Sequence, residues 1–399
     1  LEKKKDRKFG LGKLRKLAAV VASGMSKIGR RPELTGRELV LEAFMEALDF
    51  TRNLERKDIG AIYVGSQSET YEHQIMYGSL VADWLGLLPS GSLRVEGCAA
   101  AGALAFRQAV IDIMSGLHDV VLACGVEKMS LRTTAEVTDA LMSASESTLE
   151  QYSGLTFPAI YALMATSHMA RYGSTEQDMA QIAIKNHENA LMNPKAHIKK
   201  PISESEVLSS RVVASPLKLY DCSPISDGAA VAILANPEIA KHFTDSPTFV
   251  VGMGHETDTI GLYEREDVAW PAAVFGACNE AYKMAGIEPT EISFAEVHDC
   301  FTINEILAYE ACGFVERGRG HLLARQGETK IGGKIPVNPS GGLKARGHPV
   351  GATGLCQIYE LHLQLLGEAG GRQVENTKFA LAVNEGGSNA VATAHILSK

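Results

Sequence analysis

Two cysteines and a histidine stand in segments whose residue types suit covalent acyl chemistry. Cys98 opens a run of small residues, Gly97-Cys98-Ala99-Ala100-Ala101-Gly102-Ala103. Cys300 lies in Glu296-Val297-His298-Asp299-Cys300-Phe301-Thr302. His348 lies in Asn338-Pro339-Ser340-Gly341-Gly342-Leu343-Lys344-Ala345-Arg346-Gly347-His348-Pro349-Val350-Gly351-Ala352-Thr353-Gly354. A thiol that attacks a thioester, a second thiol that exchanges a proton, and imidazoles beside them are what a carbon–carbon bond-making acyl transfer requires. The three segments must converge in the fold for that chemistry to exist.

Each segment has a plainer reading beside the chemical one. Cys98 stands where a helix of small residues begins, and helix N-terminal amides would lower a thiol pKa from its usual ~8.5. Free cysteines are also common as inert core residues. The loop around His348 would fix its side chain by backbone geometry, with five glycines from Gly341 to Gly354 permitting close approach of a ligand. Lys344 and Arg346 in that loop suit the phosphates of a coenzyme, or are simply solvated; the order of a Walker loop is absent. His298 and Cys300 follow an apolar strand, where α/β sites gather, and Asp299 between them is expected to point away. A metal site there is disfavoured, because no CxxC or HxxxH completes a ligand shell. Val383-Asn384-Glu385-Gly386-Gly387-Ser388-Asn389 is a Gly-bearing turn whose backbone N–H groups could form one side of an oxyanion hole, or be an ordinary strand connection.

Elements that would position these residues recur in the chain. Glu38–Leu48 has apolar residues at helical spacing and leads to an apolar strand at 59–64; Ala272–Ala285 and the strand at 292–297 repeat that order. After Cys98 come a small-residue helix and a strand at 120–125. After His348 come a helix at 353–366 and a strand at 378–383. Alternating helices and apolar strands indicate an α/β fold with helices on both sheet faces. The duplication suggests two similar halves. We expect a first half over 17–126 with about 248–270 returning to it, an inserted cap over 127–247, and a second half over 271–399.

Composition narrows the class. The 399 residues carry 39 Lys/Arg and 47 Asp/Glu, a net charge of −8, which argues against a nucleic-acid partner. Residues 1–16 form a basic tail, with eight Lys/Arg against two acids, lacking the character of a transit peptide or secretory signal. No apolar run reaches the roughly 18 residues of a membrane span. Seven scattered cysteines without a CxxC pair fit a reducing compartment, and a cytoplasmic location is expected. The C-terminal Ile396-Leu397-Ser398-Lys399 is not the Ser-Lys-Leu peroxisomal address.

Together these segments resemble the thiolase superfamily over about Leu17 to Leu397. The 338–354 stretch is its most specific signature. His298-Asp299-Cys300-Phe301 resembles the sterol-carrier-protein-x type and bacterial and archaeal acetyl-CoA acetyltransferases, as do Glu127-Lys128-Met129 and Asp221-Cys222-Ser223-Pro224. Better-known thiolases have Asn-Glu-Ala-Phe at 298–301 and draw the second cysteine from a late Cys-x-Gly loop. Here that loop reads Asn384-Glu385-Gly386, so the resemblance implies Cys300 as the second thiol. Two further departures are Ala100, where a small polar residue is usual, and Val383-Asn384, where His-Asn is common in the subgroup.

The resemblance implies a thiolase fold with a layered αβαβα core, and ping-pong acyl transfer between coenzyme A thioesters. Cys98 would be the nucleophile, His348 its activator and Cys300 the acid/base. Imidazoles of His298 and His348 would hold the enolate oxygen; N–H groups of Cys98 and Gly386 would hold the tetrahedral oxyanion. It implies no required metal or redox cofactor, acyl-CoA and coenzyme A as partners, a homodimer or dimer of dimers, and a downstream acyl-CoA-condensing enzyme as a further partner. Acetoacetyl-CoA is the expected product or substrate. The alternatives are longer 3-ketoacyl-CoAs, a ketoacyl-synthase-like division of roles, and a non-catalytic lipid-binding or scaffold subunit.

Overall fold

A computed structural model of the chain describes residues 14–399, so the basic tail falls almost wholly outside the described residues. The strands are β1 (Ala18–Met25), β2 (Ala61–Gly65), β3 (Gly91–Val95), β4 (Val120–Lys128), β5 (Val212–Ala214), β6 (Leu217–Lys218), β7 (Asp227–Ala235), β8 (Thr248–Thr257), β9 (Phe294–Glu296), β10 (Phe379–Gly386) and β11 (Val391–Ser398). Nine of them form one sheet in the order β3-β2-β4-β7-β1-β8-β11-β10-β9; β5 and β6 make a separate ribbon.

The sheet carries the duplication. In the first half β2 runs parallel to β4, β4 antiparallel to β7, and β7 antiparallel to β1. In the second half β9 runs parallel to β10, β10 antiparallel to β11, and β11 antiparallel to β8. The halves join where β1 and β8 pair antiparallel at Ala18↔Val250, Ala19↔Phe249 and Val20↔Thr248. An isolated parallel bridge, Ala295↔Val337, stands where β3 stands in the first half.

β1, β4 and β7 are buried along their whole length, as continuous runs of Ala, Val, Ile and Leu require when both sheet faces are covered. Helices Gly36–Asp49 and Ala272–Ala285 pack on one face, against β1 and β7 and against β8 and β11. Helices Ala101–Ser115 and Thr353–Leu366 pack on the other face and against each other, which gives the expected layering. Helix Thr353–Leu366 is buried on every side from Thr353 to Leu365, as a central core helix must be. Each of its Leu or Ile side chains contributes roughly 1.5–3 kcal/mol of apolar burial.

Two domain boundaries differ from expectation. Residues 227–235 are not part of the insertion: β7 pairs residue for residue with β4, from Val120↔Ala235 to Lys128↔Asp227. The polar approach Asp221–Ser226 hides that strand in the sequence. The inserted segment is therefore 129–226, with helices Thr134–Met142, Phe157–Tyr172, Glu176–Leu191 and Glu204–Ser209. Likewise β8 does not return to the first half. It occupies in the second half the place β1 holds in the first, paired along its length with β11.

Candidate active site

Cys98 sits in the turn between β3 and helix Ala101–Ser115 with φ +52°, a left-handed conformation that side chains rarely adopt. Such strain at a strand-to-helix elbow presents a side chain away from the backbone. Opposite it, helix Thr353–Leu366 begins just after His348. The two helix starts touch at glycines: a Cβ on Gly102 would strike the carbonyl of Gly351, and one on Gly354 the backbone of Ala103. The small residues of both segments thus bring the nucleophile loop and the histidine loop together.

The thiol of Cys98 is buried, and burial pushes its pKa up to about 11 although the N–H groups of Ala99 and Gly387 point at it. Desolvation therefore outweighs the helix-start effect expected from sequence, and Cys98 is a neutral thiol at pH 7. Its own amide is not free for an oxyanion, since Cys98 N–H donates to Glu96 Oε1 at 2.6 Å. Gly386 closes β10 against Gly97; the late-turn amide that faces the sulfur is that of Gly387.

His348 Nδ1 lies 2.7 Å from Thr353 Oγ1, whose single proton goes to the Pro349 carbonyl at 3.0 Å. The hydroxyl can only accept from the ring, so Nδ1 carries the proton and Nε2 keeps its lone pair. Burial and the nearby Arg346 push this imidazole down to about 3, so it is neutral. His298 has the opposite tautomer. Its Nδ1 accepts from Asn384 Nδ2 at 2.9 Å and from the Glu385 N–H at 3.4 Å, which places the proton on Nε2. Burial and His348 hold it well below the ordinary histidine range.

Cys300 is buried at the end of the loop that follows β9, and burial raises its thiol well above the usual value. Asp299 points away from the site, as expected, and ties this loop to the signature loop. It accepts from the N–H groups of Leu343 at 2.6 Å and Lys344 at 3.1 Å and from Asn186 at 2.7 Å. Gly342, with φ +59°, has no room for a Cβ beside that carboxylate.

Cys98, His298, Cys300 and His348 all line one cavity of about 240 Å³. From the inserted segment, Val137, Leu141, Phe157, Tyr161, Val213 and Leu219 line the same cavity. Lys344 and Arg346 are corrections. Both are buried: Arg346 pairs with Glu296 at 3.2 Å with neither side chain exposed, and the Lys344 ammonium lies 5.8 Å from the Tyr220 ring centre. Neither presents a charge to a coenzyme at the surface. Among the described residues no group of three or more His, Cys, Asp or Glu is placed to hold a metal.

Sequence reasoning missed Tyr161, Thr353 as the group that sets the His348 tautomer, and the pair Asn304 and Asn389. Thr353 lay inside the signature stretch; Tyr161 has no local signal, because its partner Asn389 is 228 residues away.

Two thiols and two imidazoles of complementary tautomer, carried on a duplicated sheet, define a cysteine-dependent acyltransferase. Residues 18–238 match the thiolase N-terminal domain and residues 254–399 the thiolase C-terminal domain-like family. The chain belongs to the thiolase family. It is 44% identical to an acetyl-CoA acetyltransferase of Methanothermobacter thermautotrophicus, over 96% of this chain and 99% of that one. It is 34% identical to sterol carrier protein 2 of Bos taurus, over 95% of this chain and 72% of that one. The fold matches that of the Ltp2-ChsH2(DUF35) aldolase with TM-score 0.83 at 22% identity, covering 96% and 98% of the two chains. It matches human mitochondrial 3-ketoacyl-CoA thiolase in complex with CoA with TM-score 0.74 at 16% identity, covering 97% and 100%.

Proposed function

We propose that this acyltransferase is an acetyl-CoA C-acetyltransferase that forms or cleaves acetoacetyl-CoA. The observation that carries the reading is the meeting of Cys98, His348, Cys300 and His298 around one buried cavity. Both thiols start protonated, and the proton balance follows from that. His348 Nε2 takes the Cys98 proton as Sγ attacks the thioester carbonyl. The C–S bond to coenzyme A breaks, and Cys300 S–H protonates the leaving thiolate. Acetyl-Cys98, a Cys300 thiolate and a His348 imidazolium remain. The Cys300 thiolate then removes the α-proton of a second acetyl-CoA, while His298 Nε2–H donates to the enolate oxygen. The enolate carbon attacks the acetyl group, and Cys98 leaves with the proton of His348. The scheme takes coenzyme A thioesters as substrates and calls on no metal or redox group.

Loss of acetoacetyl-CoA absorbance on addition of purified protein and free coenzyme A tests the reading; no loss overturns it. The apolar cap residues over the cavity favour a second reading, cleavage of longer 3-ketoacyl-CoAs, which relative rates on longer substrates would separate.

The same reading extends to assembly. The edge strand β3, with Leu93 exposed, is the surface we assign to a homodimer. A monomer of about 43 kDa that is active in light-scattering conditions would refute this. An acyl-CoA-condensing enzyme that consumes acetoacetyl-CoA is the further partner we assign. The seven free thiols support a cytoplasmic location.

A further inference from the structure

Beyond the four residues of the motifs, the cavity holds one more group able to move a proton. Tyr161 comes from the cap helix Phe157–Tyr172, is fully buried and lines the cavity beside Cys300. Its ring stacks on Phe301, the neighbour of Cys300, with centroids 4.6 Å apart and planes at 29°. Its hydroxyl lies 2.7 Å from Asn389 Oδ1.

The orientation of that partner is fixed from behind. Asn304 Nδ2 donates to the His298 carbonyl at 2.5 Å and to Glu385 Oε2 at 3.0 Å, so its Oδ1 faces Asn389 and accepts from Asn389 Nδ2 at 3.0 Å. Asn389 therefore must present its oxygen to Tyr161. The phenol proton rests on that oxygen while the phenol oxygen is free to accept from a thiol. Tyr161 and Cys300 line the same cavity, and the stacking of the Tyr161 ring on Phe301, the residue after Cys300, sets the phenol on the Cys300 side of it.

We propose that Tyr161 is a catalytic residue whose hydroxyl turns from Asn389 to the Cys300 sulfur when that sulfur becomes a thiolate. This rests on the acid/base role of Cys300 given above. While Cys300 is a thiol, its S–H donates to the phenol oxygen and the phenol O–H to Asn389. When Cys300 has given its proton to departing coenzyme A, a rotation about the phenol C–O bond delivers the O–H to sulfur. No bond to the phenol proton breaks and no charge is added. A thiolate in so dry a site has few other donors, and a phenol hydroxyl turned towards it offsets part of the cost of burial. A hydrogen bond to a charged group is the strong kind.

The test is Tyr161→Phe, which keeps the ring on Phe301 and removes only the hydroxyl. In a Cys98→Ser background, the pH dependence of Cys300 alkylation by iodoacetamide should move upward by about one unit or more relative to Cys98→Ser alone, the effect of losing one charged hydrogen bond. In the Tyr161→Phe single variant, acetylation of Cys98 by acetyl-CoA should persist, while thiolysis of acetoacetyl-CoA falls about 10- to 100-fold. An unmoved alkylation curve overturns the proposal, as does loss of Cys98 acetylation, which would make the hydroxyl a support of the nucleophile. Wild-type protein that fails to cleave any 3-ketoacyl-CoA would instead overturn the proposed function, and the alkylation curves would still report on Tyr161.

Discussion

His298 and His348 meet edge to face, ring centroids 5.1 Å apart and planes at 86°, with their protons on opposite kinds of nitrogen. Thr353 makes His348 an acceptor at Nε2; Asn384 and the Glu385 amide make His298 a donor at Nε2. Adjacent imidazoles that both start neutral can divide base and donor duties, with only His348 taking up charge during the cycle.

That division predicts separable defects. His348→Asn should slow acetylation of Cys98 by about 10²–10⁴, the range for loss of a general base. His298→Asn should leave acetylation near wild type and slow condensation by about 10²–10³, as loss of an oxyanion donor does. Single-turnover acetylation followed by mass spectrometry, beside steady-state condensation, distinguishes them; equal loss of both steps in both variants would contradict the tautomer assignment.

Cys300→Ala should still accept an acetyl group on Cys98 yet lose condensation and thiolysis by about two to four orders of magnitude. Glu385 is the rival, because it is buried nearby and pushed up to about 8 by desolvation. Near-normal turnover in Cys300→Ala with none in Glu385→Gln would move the proton-transfer role to the late loop.

Acid sensitivity should be traceable to buried histidines. His395 has both ring nitrogens unpartnered, packs on Phe106, and is pushed from 6.5 down to about 3 by burial. The unfolded chain therefore binds the proton first: stability is full above the unfolded pKa and is lost as pH falls from about 6.5 towards about 3. At pH 5 the loss from this one group is about 2 kcal/mol. Urea unfolding of His395→Gln should show a smaller drop between pH 7 and pH 5 than wild type; an identical drop would refute the assignment.

Arg346→Met should act on stability and leave the KM for coenzyme A little changed, because its guanidinium is sealed against Glu296. Removing one partner of a buried pair costs about 3–5 kcal/mol. Adding Glu296→Gln should recover part of it. A raised KM for coenzyme A with unchanged urea midpoint would restore the phosphate-binding role.

The sequence made the reacting groups legible and left their environment hidden. Cys98 and His348 stood out because small residues and glycines mark close backbone approach, and such approach is what joins the two central helices. The thiol state was misread, because burial by the cap depends on residues far along the chain. Lys344 and Arg346 look like solvent-facing charges until Glu296, fifty residues earlier, is seen to neutralise Arg346. β7 was missed because its apolar run opens on the polar Asp227, whose carboxylate is held by Lys128 at 2.6 Å.

Lys128 and Asp227 are also the last pair of the β4–β7 ladder, so the segment 129–226 leaves and re-enters the sheet through a gap one strand spacing wide. The entropic cost of closing a loop grows only with the logarithm of its length. Length changes on the exposed side of that segment therefore add little closure cost at the neck, whereas its helix Glu176–Leu191 is fastened to the loop after β9 through Asn186 and Asp299. The neck separates two regimes of packing: Cys98 and His348 are held by helix starts in glycine-to-backbone contact, where an added Cβ has no room. The roof over them lines the cavity with Val137, Leu141, Phe157 and Leu219, where a change of side-chain volume alters the cavity before it alters the sheet.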